Sequence, residues 1–282
     1  NIDLNWSTYE SIVADLGEDI ENLQLGSLQG GVTINAREGE PYGVIQGTGF
    51  IYSPNGQKVI GSSGYYEMTG TSDIVIGDVQ PDWNAGINNT FQYKGFSLGF
   101  LVDMQMGGNV FSLDQWYGMA TGLYPETAEI NDLGNPERDP ILQNEDGSYE
   151  PESGGILLDG VVGIDSDGDG EYDSYEPNTT RIPGDRYSAD GYATNPNARY
   201  IYDATYVKLR EASIGYSLPE SVIGDLFEQV RISVVGSNLW IIHKDLPYAD
   251  PEASQGAGNI QGWQSGVFPT TRNIGLKLNI RF

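Results

Sequence analysis

The sequence predicts an all-β protein built from antiparallel strands with one apolar face each, joined by long polar loops. Three observations carry that expectation. The 282 residues include 38 Gly and 18 Tyr and no Cys. Runs of alternating apolar and polar residues recur along the chain. Stretches rich in Gly, Asn, Asp and Pro separate those runs.

The clearest run is the last. From Thr271 to Phe282 it places Ile274, Leu276, Leu278, Ile280 and Phe282 on one face, and Asn273, Gly275, Lys277, Asn279 and Arg281 on the other. One face suits lipid and the other water, although a single such strand also suits a soluble sandwich. Phe96 to Met104 repeats the pattern through Phe96, Leu98, Phe100, Val102 and Met104. Ala85 to Lys94 aligns Phe91 with Tyr93, and the intervening Gly95 makes the pair a hairpin. Tyr206 to Tyr216, closed by Ser217-Leu-Pro219, and Val230 to Trp240 are two further strands, with a short helical turn over 220–228 between them. Gly31 to Ala36 and Gly49 to Tyr52 read as shorter strands, the second followed by a turn at Pro54-Asn-Gly56. Tyr93, Tyr200, Tyr202, Tyr206, Tyr216 and Trp240 sit near strand ends. Interfacial aromatic girdles of a membrane barrel require that placement, and ordinary sheet packing also allows it.

Composition narrows the function classes. A net charge of −26 with only 14 Lys and Arg argues against nucleic-acid binding, which needs clustered cations on phosphates. Without Cys there is no disulfide scaffold, Cys-ligated zinc or thiol nucleophile. No window approaches ~18 consecutive apolar residues, so a transmembrane helix is excluded on length. A membrane barrel is not, because its strands need only ~9–11 alternating residues. His243 is the only histidine and has a structural or loop role. No carboxylate pair or phosphate loop stands in a recognisable context, so no enzyme is expected.

The region 122–197 holds almost no periodic apolar segment and is read as long extracellular loops. Within it, Asp165-Ser-Asp-Gly-Asp-Gly-Glu-Tyr-Asp-Ser-Tyr-Glu176 fits the pattern D-x-D-x-D-G-x-x-D-x-x-E. In such a loop Asp165, Asp167 and Asp169 give carboxylate oxygens and Gly170 permits the sharp turn. Glu171 offers its carbonyl, Asp173 acts directly or through water, and Glu176 closes the shell. So many carboxylates favour a hard divalent cation, Ca²⁺ above others. A solvated acidic turn has the same letters. The flanks do not resemble the paired helices of a calcium sensor, so the expected role is bracing a loop.

Several segments together resemble the C-terminal barrel portion of the SusC/RagA-like TonB-dependent outer-membrane transporters of Bacteroidetes. They are Gly39 to Thr48, Ile76 to Gly86 with Tyr93-Lys-Gly-Phe96, Tyr206 to Glu211 running to Gly215-Tyr-Ser-Leu-Pro219, Gly236 to Trp240, Asp250-Pro-Glu252, Phe268-Pro-Thr-Thr-Arg272 and the terminal strand. The resemblance implies a large antiparallel barrel of ~22 strands closed by a plug domain. It implies a SusD-like surface lipoprotein as partner, energy from the TonB complex through the plug, and oligosaccharide or oligopeptide cargo. No plug is recognised within residues 1–282, and the strands are too few to close a barrel. The remainder is therefore expected from the same or another polypeptide, because open sheet edges are forbidden in a membrane. Cargo contacts are expected from Asp114, Trp116, Tyr117 and Trp263, in loops after strands. The competing expectation is a soluble, calcium-braced β module for polysaccharide binding or adhesion.

Overall fold

The computed structural model describes residues 1–148, 150, 152–185, 189–254, 258 and 260–282. In chain order the strands begin with β1 (Ile2–Ser7), β2 (Asn22–Leu28), β3 (Val32–Arg37), β4 (Val44–Gly47), β5 (Val59–Ile60), β6 (Ile74–Asp78), β7 (Trp83–Tyr93), β8 (Phe96–Met106) and β9 (Asn109–Ser112). Helix α1 (Leu113–Ala120) precedes β10 (Ile156–Leu157), β11 (Val161–Ile164), β12 (Ser174–Pro177), β13 (Arg181–Ile182) and β14 (Ile201–Asp203). The chain ends through β15 (Tyr206–Ser217), α2 (Glu220–Ile223), β16 (Gln229–Lys244), β17 (Trp263–Gln264) and β18 (Asn273–Arg281).

The long strands form one antiparallel sheet in the order β1-β7-β8-β15-β16-β18. At 9 to 16 residues, β7, β8, β15, β16 and β18 are long enough to cross a bilayer when tilted. Their register aligns the alternation from strand to strand. Phe91 faces Leu98, which faces Ile214, then Val234, then Leu276. One step along, Tyr93, Phe96, Tyr216, Ile232 and Leu278 form the next row. On the opposite face the row is Gln92, Ser97, Gly215, Ser233 and Lys277. The five residues of the first row are 41% to 82% exposed, so among the described residues no other part of the chain covers this apolar band. The sheet is open, with β1 and β18 at its edges.

The expected hairpin is present, and its turn has the required chemistry. Lys94 and Gly95 take φ of 46° and 87°, the pair of left-handed residues that a type I′ turn demands. In β15 the register with β8 slips between Leu209 and Glu211, leaving Arg210 as the extra residue of a bulge. The slip shifts the apolar positions from 207 and 209 to 212, 214 and 216. It also explains why this strand alternates so poorly in sequence.

Beyond one end of the sheet the shorter elements pack into a second layer. A four-stranded sheet, β2-β3-β4-β6, and a three-stranded one, β14-β9-β17, share a core of Val32, Ile34, Ile45, Phe111, Leu113, Trp116 and Tyr200. Region 122–197, apart from 149, 151 and 186–188, which lie outside the described residues, carries short strands between its loops. It contributes β10 to β13, and Ile60, Leu158, Ile182 and Ala189 make a core where β11 joins β5 in parallel. Gly49 to Tyr52 forms only isolated bridges, Phe50 with Met68 and Tyr52 with Lys58. Tyr200 and Tyr206 are buried packing residues and Tyr202 is half-buried, so the exposed girdle keeps only Tyr93 and Trp240 of the six aromatics, with Tyr216 half-buried. Long loops need a core of their own when their apolar residues can reach one another, and short strands of two to four residues leave no periodic signal.

Phe111 is fully buried at the centre of the first core. Phe111→Ala is expected to cost about 3–5 kcal/mol of local stability. Hydrogen exchange should report it as faster opening of β3, β4 and β9, with the long strands β8, β15 and β16 unaffected.

Candidate functional site

Two segments that stand 42 residues apart in sequence meet at one end of the polar face. Lys208 and Arg210 project from β15 towards the turn Pro251–Ser254, where Glu252 and the preceding Asp250 receive them. The Lys208 ammonium, almost fully buried, pairs with both Asp250 and Glu252. Arg210 pairs with Glu252 and, at 2.6 Å, with Asp103 of β8. The hydroxyl of Thr270 donates to Asp250 at 2.7 Å. The bulge at Arg210 keeps both that residue and Glu211 on the polar face. Two cations thus hold three carboxylates, with one negative charge in excess, and the loop after β16 is fastened to the sheet. Burial would raise the carboxyl pKa of Asp250, but hydrogen bonds from Lys208 and Thr270 prevail and hold it below the usual range. Burial works the same way on Glu252, and Arg210 and Lys208 outweigh it. A cavity of about 590 Å³ opens beside this network, lined among others by Asn5, Asn84, Asp103, Arg210 and Asn238.

The acidic loop lies elsewhere, between β11 and β12. Carboxylate oxygens of Asp165, Asp167 and Asp173 lie within 4.8 Å of one another. Asp169, Glu171 and Glu176 are not part of that cluster. Asp169 accepts instead from the Glu171 amide at 2.8 Å, and Glu176 is fixed in β12 opposite Val162. Strand pairing holds Glu176 in the ladder, so of the five carboxylates expected from the spacing three converge, while Glu171 is expected to act through its backbone carbonyl. Asp165 accepts from the Gly168 amide at 2.6 Å and the Gly170 amide at 3.0 Å. Those backbone donors hold its pKa below the usual range. The Tyr172 hydroxyl donates to Glu67 at 2.5 Å, tying the loop to the segment before β6 and pushing the phenol pKa up to about 12.

The four residues expected to touch cargo come together around α1, not in loops. Asp114, Trp116 and Tyr117 lie on the helix, and Trp263 lies on β17, which runs parallel to β9. The helix starts where the Ser112 hydroxyl accepts from the Gln115 amide at 3.2 Å, an N-cap the sequence reading missed. Asp114 accepts from Gln264 and from the Gly266 amide at 2.7 Å, which fixes the β17 segment. Trp116 is only 8% exposed and belongs to the core, whereas Tyr117 is exposed and accepts from Gln29 at 2.5 Å. Of the four, packing therefore claims Trp116 and leaves Tyr117 open to a ligand. His243 stands in strand β16, not in a loop, 3.4 Å from Asp245.

No family model matches the sequence. TonB-dependent receptor P26 of Formosa agariphila is 26% identical over 301 aligned residues, covering 98% of this chain and 26% of that protein. TonB-dependent receptor P3 of the same organism is 26% identical over 236 residues, covering 81% and 19% respectively. The chain is a relative of the TonB-dependent receptors. It spans about a quarter or less of the length of those relatives. Among solved structures, the RagAB peptide importer in its open-open state superposes with a TM-score of 0.55 at 14% identity, covering the whole chain and 26% of its counterpart. The RagAB peptide transporter gives 0.56 at 13% identity, covering 98% and 26%. At that identity the likeness is one of fold. The curated relatives are named as receptors, not as enzymes.

In this receptor relative the pairing of Asp250 and Glu252 sets a pH window. A carboxyl whose folded pKa is depressed stabilises the fold above its unfolded value and loses that contribution as pH falls through the folded value. The loop 245–272 is therefore expected to stay protected near neutrality and to become protease-sensitive below the normal carboxylate range. Lys208→Met, which leaves two buried carboxylates without their ammonium, should expose the same loop at neutral pH, at a cost of about 3–5 kcal/mol.

Proposed function

We propose that this chain forms a sector of the wall of an outer-membrane β-barrel importer. The observation that carries this reading is the uninterrupted apolar row Phe91, Leu98, Ile214, Val234 and Leu276 across five strands, backed by the polar row from Gln92 to Lys277. A water-soluble sandwich would bury such a band against a second sheet. A barrel wall turns it to lipid and its other face to an aqueous lumen. The names of the TonB-dependent relatives support energised uptake of nutrients, with a plug domain and the TonB complex supplying the energy. RagAB is a peptide importer, which supports an oligopeptide cargo beside an oligosaccharide one. A SusD-like surface lipoprotein is proposed as the partner that covers the packed layer around α1. The soluble polysaccharide-binding module leaves the apolar row uncovered and is the weaker reading.

Probes on adjacent residues of one strand test this. In the full-length protein in outer-membrane vesicles, a spin label at Ile214→Cys is expected to be relaxed by oxygen dissolved in lipid, and one at Ser213→Cys by a water-soluble nickel complex. Equal access of both labels to the nickel complex would overturn the barrel wall. Ile214→Arg should cost about 2–4 kcal/mol if the site lies near the bilayer midplane.

The acidic loop is proposed to hold Ca²⁺ through Asp165, Asp167 and Asp173. The donor set fits a hard cation, being all oxygen and converging within 4.8 Å. A bound ion would brace the turn between β11 and β12 and screen three like charges. Tyr172 and Tyr175, with ring centroids 5.9 Å apart, can sensitise a lanthanide in that loop. Terbium luminescence excited through tyrosine is expected to appear at micromolar metal, to be displaced by Ca²⁺ and to vanish in Asp165→Asn/Asp167→Asn. Chelator should also raise protease sensitivity over 165–176 while leaving the long strands intact. Undiminished luminescence in the double variant, or unchanged cleavage on chelation, rules out the ion.

A further inference from the structure

The polar face of the sheet is charged very differently at its two ends. At the end that carries the packed layer, Lys208 and Arg210 are matched by Asp103, Asp250 and Glu252. At the opposite end, around the hairpin turn, stand Lys94, Arg231, Lys277 and Arg281. Among the described residues none of these four makes an ion pair. The chain has 40 acidic residues and only 14 Lys and Arg, so four unmatched cations gathered in one place call for an anion.

Their arrangement is built into the register. Lys277 and Arg281 share the polar face of β18, and Arg231 on β16 lies opposite Asn279, the residue between them on that face. Arg231 is therefore the diagonal neighbour of both cations, with Cα separations of roughly 7–8 Å. The site also has a fitted floor. Arg231 donates to the Ser97 hydroxyl across the strand between them. A Cβ on Gly215 would come within 2.5 Å of the Ser233 hydroxyl, 2.9 Å of the Ser97 hydroxyl and 3.0 Å of Arg231 Nε. Only glycine at 215 lets the guanidinium lie over the sheet. A cavity of about 310 Å³ adjoins it, lined by Gln92, Lys94, Ser97, Ser217, Gln229 and Arg231 among others.

We propose that Arg231, Lys277 and Arg281 form a binding strip for an extended acidic polypeptide segment lying against the inner face of the sheet. The spread of charge favours a peptide over a compact anion. The outer two cations stand four positions apart along β18, roughly 13–14 Å in an extended strand. That span matches alternate Asp or Glu side chains of a second extended segment. A single phosphate reaches one or two of the cations at most. A lipid headgroup is disfavoured because the strip faces away from the apolar band. The inward direction rests on the barrel reading, whereas the three cations and their spacing do not.

Carbodiimide crosslinking tests the strip, because it joins a lysine amine only to a carboxylate in contact with it. In the full-length protein in outer-membrane vesicles, Lys277 is expected to link to an Asp or Glu of a segment outside residues 1–282, or to an added peptide such as acetyl-Glu-Thr-Glu-Thr-Glu-amide. Lys277→Arg should abolish that link. Peptide binding, read by anisotropy, should persist in Lys277→Arg and fall about tenfold or more in Arg231→Gln/Arg281→Gln. Inorganic phosphate at equal concentration should not displace the peptide. The proposal is overturned if Lys277 links only to Glu220 or Glu228 of its own sheet end, links to nothing with or without peptide, or is protected equally by phosphate. The face-labelling of Ile214 and Ser213 is read separately, so a failed strip and a failed barrel wall give different results.

Discussion

The register joining β7, β8, β15, β16 and β18 is the constraint on which the rest of the molecule depends. Side chains alternate with a period of two, so a slip of one residue in any pairing would move a whole strand's apolar set to the polar face. The four pairings agree, and the result is a band in which Leu98, Ile214 and Val234 are flanked by equals on both sides. Every other feature takes its place from this one. It decides which face is apolar and where Arg231 and Lys277 can meet.

The bulge at Arg210 shows how such a sheet accommodates charge without losing register. Strict alternation would carry Val207 and Leu209 on to Glu211 on the apolar face. The extra residue resets the phase, so that Glu211 returns to the polar face and Ala212, Ile214 and Tyr216 continue the apolar rows. The same local disruption holds Arg210 where Asp103 and Glu252 reach it. A buried ion pair is worth little beyond an apolar substitute, but a half-broken one is costly. The network therefore acts less as a source of stability than as a fastener that accepts one position of the loop 245–272.

Legibility in the sequence followed the same physics. Long strands with uniform phase, such as Phe96–Met106 and Asn273–Arg281, were readable from their alternation alone. The hairpin was readable from Gly95, because few residues other than glycine take its positive φ readily. β1 carries a clear alternation of Ile2, Leu4 and Trp6 that was available and went unused. β10 to β13 were not legible, since strands of two to four residues cannot display a period. Helix α1 was hidden for a related reason. Its cap, Ser112, ends strand β9, so the start signal falls inside a run that reads as extended. The acidic loop was legible as a motif but not as a geometry. The spacing from Asp165 to Glu176 says nothing of the strand pairing that holds Glu176 against Val162.

Charge is placed unevenly between the two ends of the polar face. Carboxylates are tolerated in quantity where water or a cation can screen them, and the loops from 122 to 197 supply that setting. Cations on the polar face have no such freedom, because the strands fix their spacing. At one end the chain supplies its own counter-charges, drawn from a loop that returns after β16. At the other end the hairpin turn is two residues long, and the connection between β15 and β16, although it carries Glu220 and Glu228, makes no ion pair with Lys94, Arg231, Lys277 or Arg281 among the described residues. The charge left open on that part of the polar face is where the proposed acidic segment would meet least competition from this chain.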